Sequence, residues 1–267
     1  MAIPVSARVT EKRANIASGY RHAQNEFRIL NVKSTFPGFS GDALSFLRNL
    51  KRNNRREWFQ PRKQLYETLI KAPMLELIGG LNAEFERFAP GYITPPAKAL
   101  YRIYRDTRFS HDKTPYKTHI SAIFPQHNAM KREGAVFYFH FTEKELLVFG
   151  GVYSPEREEL LAYRGRLAEH YQELEEILRN KKLRQVAGKL QGEQVSRMPK
   201  GFPADHPAES LLRHRQWYLE SMLDIKLLTT RRLLPELSRH FEVMLPFVEF
   251  MNRGFGRKQK PKKMLFF

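Results

Sequence analysis

Five cations fall within sixteen residues, at Arg102, Arg105, Arg108, Lys113 and Lys117, against two carboxylates, Asp106 and Asp112. Guanidinium groups grip phosphate or carboxylate in a two-pronged fork, and lysine adds a point charge, so the pattern suits an anion-binding site. Two carboxylates leave three cations to be neutralised by solvent or by a ligand. The competing reading is an internal lattice in which Asp106 and Asp112 orient the arginines and hold the chain together. Interleaved Tyr101, Tyr104, Phe109 and Tyr116 offer flat surfaces on which bases could stack. For catalysis on a small phosphorylated or carboxylated substrate, Arg105 and Arg108 could clamp the anion, with Asp106, Asp112, Lys113 and Tyr116 as acid–base candidates. Asp106, His111, Asp112 and His119 lie close together in sequence, but their spacing matches no known metal cage, and no metal is expected. No Walker pattern, no strand-GxGxxG-helix unit and no GxSxG elbow occurs; Gly150-Gly151 alone does not make a phosphate loop, and no cofactor is expected.

A second polar and aromatic segment, NNRREWF at 53–59, is expected to support this stretch through Asn53, Asn54 and Trp58. Its competing reading is a helix-to-helix turn whose Trp58 and Phe59 plug the core. RDTRFSHDKTPYKT, taken with NNRREWF, GGVYSP at 150–155 and PKGFPADHP at 199–207, resembles the family called domain of unknown function 2461, over roughly Phe36 to Met251. The resemblance implies a site around these motifs and no particular reaction.

The elements that must position these residues follow from periodicity. Ser40 caps a helix whose Leu44, Leu47 and Leu50 share one face and which ends at Asn53-Asn54. A second helical stripe runs through Met74, Ile78, Leu81, Phe85 and Phe88. After Pro95-Pro96 the period changes to two, predicting strands at 99–105, 118–124, 134–141 and 145–152, with the turn-rich loop from Asp106 to Lys117 between the first two. Ser154 and Pro155 open a long helix to 179 with an acidic first turn, expected to cover a sheet face, and further helices are expected at 207–222 and 226–245. The expectation is a single α+β domain at 36–252, an antiparallel sheet flanked by helices, between a basic extension at 1–35 and a polybasic tail at 253–267.

Of the 267 residues 42% are apolar and 12% aromatic, ample for a sizeable core, and the formal net charge is +18. Six Lys/Arg against two Glu fall in residues 1–35, and six Lys/Arg with no acid in 252–267, so part of the charge lies on the core. A basic balance of this size favours anionic partners. With no cysteine, disulfides, thiolate nucleophiles and Cys-type zinc sites are excluded. No apolar run approaches the length of a spanning helix and no apolar signal core opens the chain, so a cytoplasmic protein is expected. The expected partner is therefore an anionic ligand, foremost the phosphates of nucleic acid or another polyphosphate. The ending KQKPKKMLFF also raises contact with an acidic membrane surface.

Overall fold

The computed structural model describes residues 36–127 and 133–253. The extension at 1–35 and all but the first residue of the tail at 253–267 lie outside the described residues.

Four strands, β1 (Ile120–Pro125), β2 (Val136–Phe141), β3 (Leu146–Val152) and β4 (Trp217–Leu223), form one antiparallel sheet in sequence order. Side chains alternate across a strand, so each contributes two faces. The inner face carries Ala122 and Phe124, then Phe137, Phe139 and Phe141, then Leu146 and Val148, then Trp217 and Leu219, all buried. The outer face is set by register, which aligns Ile123, Tyr138, Phe149 and Glu220 in one row across all four strands and Ser121, His140, Leu147 and Met222 in the next.

Five longer helices surround the inner face. They are α1 (Gly41–Arg52), α2 (Ala72–Phe88), α3 (Arg157–Arg179), α4 (Lys181–Ala187) and α5 (Leu233–Asn252). The Ser40 hydroxyl accepts the Ala43 N–H at 3.2 Å and caps α1 as its sequence predicts. In α3 the capping box is formed by Glu156 and Glu159, two residues past Ser154. This helix lies against α5 and the short turn Glu209–Leu212, whereas the helix laid across the sheet is α5. Its close approach explains Gly150, where a Cβ would sit 3.1 Å from Met244 and Val248. The neighbouring Gly151 has φ 142°, and a Cβ there would lie 2.4 Å from the Trp217 carbonyl. The glycine pair thus serves packing and strand pairing.

Two further expectations are corrected. Residues 99–105 are not a strand; they make single bridges at Leu100 to Ala122 and Tyr104 to Tyr116. The turn-rich loop folds back at once, and Ile103 and Arg105 spend their backbone groups on Lys117 (2.8 Å) and Pro115 (2.9 Å). The fourth strand is instead 217–223, which overlaps the segment 207–222 expected to be helical. WYLESML contains helix-favouring Leu, Glu and Met, but pairing with β3 along its whole length overrides that local preference.

Three asparagines each take the place of a strand neighbour by bonding both backbone groups of one residue. Asn54 holds Tyr116 (2.8 and 3.0 Å), Asn82 holds Thr94 (2.7 and 3.1 Å), and Asn252 holds Ala135 (2.7 and 2.7 Å) while also donating to the Tyr92 hydroxyl (2.9 Å). They tie helices to the chain entering or leaving the sheet.

Candidate functional site

The loop from Arg105 to Lys117 is held by its own polar groups. The Arg105 guanidinium donates to Asp112 and Thr114, and Ser110 lies at 3.5 Å. Arg108 pairs with Asp106 in a fork of 3.0 and 2.8 Å, and Lys113 donates to the Thr107 carbonyl at 2.9 Å. The Arg108 fork holds the Asp106 carboxyl down at about 2, and the Thr114 N–H together with Arg105 does the same for Asp112. Both are ionised at neutral pH. These pairs are solvent-exposed, with Arg108 three-quarters accessible and Asp112 more than half. Arg102 is exposed beside them, and Phe109 is 94% exposed at the loop tip.

The NNRREWF segment meets this loop as expected, through one of its two asparagines. Asn54 holds the Tyr116 backbone, whereas Asn53 turns back to donate to Asn49 at 3.0 Å and finishes α1. Phe59 is buried and stacks on Tyr116 at 4.1 Å between centroids. Trp58 is half-buried on Phe46, with the Arg62 guanidinium 4.8 Å over its ring. Tyr116 is itself buried, its hydroxyl hydrogen-bonded with Gln60, and burial raises its pKa.

A concavity lies beyond the loop, on the outer face of the sheet. It is a cleft of about 620 Å³ whose lining includes the rings of Tyr101, Tyr138, Phe149, Tyr153 and Tyr218. The rings touch one another, Phe149 and Tyr218 at 5.0 Å and Tyr153 and Tyr218 at 5.7 Å, and Tyr153 is 60% exposed. Burial pushes the Tyr138 hydroxyl up to about 12, partly offset by its hydrogen bond with Ser121. At the loop side Lys117 enters the cleft, its ammonium 4.8 Å from the Tyr101 ring centroid. His119 and His140 stand next to it with ring centroids 5.6 Å apart, and His140 Nε2 lies 3.3 Å from Glu145. Burial, then His140 and Lys117, push the His119 imidazole down to about 4, so it is neutral at pH 7.

Of the residues singled out in the sequence, Tyr101, Lys117 and His119 line this cleft, while Arg102, Arg105, Asp106, Arg108, Asp112 and Lys113 belong to the adjoining loop. Arg105 is close enough to depress His119, which links loop and cleft electrostatically. Tyr138, Phe149, Tyr153 and Tyr218 were not reached by sequence reasoning. The available signal was aromatic residues recurring at outward positions of strands, where a half-exposed sheet ordinarily shows polar side chains. Among the described residues no three His, Asp or Glu side chains converge as a metal site requires, and no helix is long and apolar enough to cross a membrane.

The family described as conserved hypothetical protein (DUF2461) matches residues 42–250, and the chain belongs to it. No curated protein and no solved structure shows significant similarity to the chain.

Proposed function

We propose that this DUF2461 protein binds single-stranded nucleic acid, laying bases on the aromatic outer face of the sheet and phosphates along the cations that border it. The observation that carries the reading is the cleft, where five aromatic rings and Lys117 share one concave surface. A site for phosphate alone needs no rings, and a duplex hides the base faces that rings would stack on. Stacking contributes roughly 1–3 kcal/mol per base and tolerates any sequence. The loop arginines keep their role in this reading although they are paired. Exposed ion pairs are weak because water screens both partners, so a phosphate can join or replace Asp106 and Asp112 at small cost.

The test is anisotropy of a labelled eight-nucleotide single strand at low and physiological salt, beside the same strand in a duplex. The single strand should bind more tightly and weaken steeply with salt. Tyr153→Ala should cost about 5- to 150-fold in affinity, the equivalent of one lost stack, and Lys117→Glu should reduce both affinity and salt slope. Binding that ignores Tyr153→Ala, or no binding at low salt, would overturn the reading.

A further inference from the structure

A stacking platform has no need of two imidazoles, yet His119 and His140 sit side by side in the cleft, on adjacent strands or their immediate approach. Lys117, two residues before His119, lines the same wall. Glu145 lies 3.3 Å from His140 Nε2, and His119 lines the same cleft wall beside the Lys117 ammonium group. A neutral base next to a fixed positive charge is what attack of a ribose 2′-hydroxyl on its own phosphodiester requires.

We propose that the cleft cleaves the RNA it binds, with His119 as general base and Lys117 as the stabiliser of the phosphorane. His119 takes the proton of the 2′-hydroxyl, the 2′ oxygen bonds to phosphorus, and the bond from phosphorus to the 5′ oxygen breaks. That oxygen takes a proton from water, and the hydroxide so formed recovers the proton from His119. The products are a 2′,3′-cyclic phosphate and a 5′-hydroxyl, with no metal or redox partner needed. Lys117 faces the negative charge that gathers on the non-bridging oxygens. His140 is a positioning residue, held by Glu145 and packed beside the base. His119 is kept unprotonated by burial and by its neighbours His140, Lys117 and Arg105, with Glu145 opposing them. The base is therefore in its working form at neutral pH.

The inference rests on the nucleic-acid reading, and the assay separates the two. The full chain, in excess EDTA, is mixed with an eight-nucleotide RNA and with DNA of the same sequence, and binding and product length are both followed. The expected result is that both bind, that only the RNA is shortened, and that its new end is a cyclic phosphate. His119→Ala should slow cleavage by about 100-fold or more, a far larger loss than any change it makes to DNA affinity. His119→Gln, closer in shape and polarity, covers the case in which the alanine variant does not fold. The cleavage rate of the parent should be level near neutrality and fall as the pH drops through about 4. RNA that binds and stays intact, or that is cut equally fast by both His119 variants, overturns the inference and leaves the binding reading standing. Failure of RNA and DNA alike to bind overturns both.

Discussion

Replacing Asn54 by alanine removes a clamp whose two bonds, to the Tyr116 carbonyl (2.8 Å) and N–H (3.0 Å), join α1 to the loop beside the cleft. Tyr116 is buried against Phe59, so water reaches the orphaned groups poorly, while the Asn54 side is only half-buried and admits some solvent. At about 1–1.5 kcal/mol for each group left unmet, the change should cost about 2–3 kcal/mol. For a folded unit of this size that is a fall of about 4–12 °C in Tm. Asn53→Ala is the internal control: its side-chain bond to the Asn49 carbonyl is exposed, and its loss should cost about 0.5–1 kcal/mol. Asn54→Asp should do no better than alanine, because a carboxylate can still accept from the Tyr116 N–H but repels its carbonyl. Urea unfolding gives the free energies, and hydrogen exchange at the Tyr116 amide gives the location of the damage. If Asn54→Ala costs no more than Asn53→Ala, or the Tyr116 amide stays protected, the clamp argument is refuted. The same variant should also weaken oligonucleotide binding, since Lys117 follows directly on the clamped residue.

Asn252→Ala should cost more, about 3–5 kcal/mol, because it strands the Ala135 N–H and carbonyl and the Tyr92 hydroxyl in a buried place; a loss under about 1 kcal/mol by urea unfolding would contradict this. Acid should weaken the fold above the range in which the loop aspartates titrate. His119, His214 and His240 are all held below the ordinary 6.5 chiefly by burial, so as pH falls from 6.5 the unfolded chain takes up protons that the folded chain refuses. Their stability contribution is complete above 6.5 and is lost toward the folded-state values, about 4 for His119. His119 alone should contribute on the order of 1–2 kcal/mol, discounted from about 3 because its ring is partly solvated. Equal urea midpoints at pH 7 and 4.5 would disprove it.

The α+β class, the antiparallel order of 118–124, 134–141 and 145–152, and the Ser40 cap were legible because each rests on near-neighbour chemistry: alternation along a strand, or a hydroxyl three residues from an amide. So was the meeting of NNRREWF with the site loop, since both segments carry polar groups that demand partners. The fourth strand was not legible, because 217–223 becomes a strand only through β3, some seventy residues earlier. Nor was the choice between the two asparagines, which differ only in where the end of α1 points them.

The residue types themselves determined that the stretch around Arg102 to Lys117 would concentrate cationic and aromatic side chains. Only the tertiary structure decided that the arginines would find Asp106 and Asp112 while Lys117 turned into a cleft with Tyr138, Phe149, Tyr153 and Tyr218. The physical reason is register. Alternation tells which side chains share a face of one strand, but the row that those faces form across four strands depends on pairings set by the packing of α5 and by Gly150 and Gly151, far away in sequence.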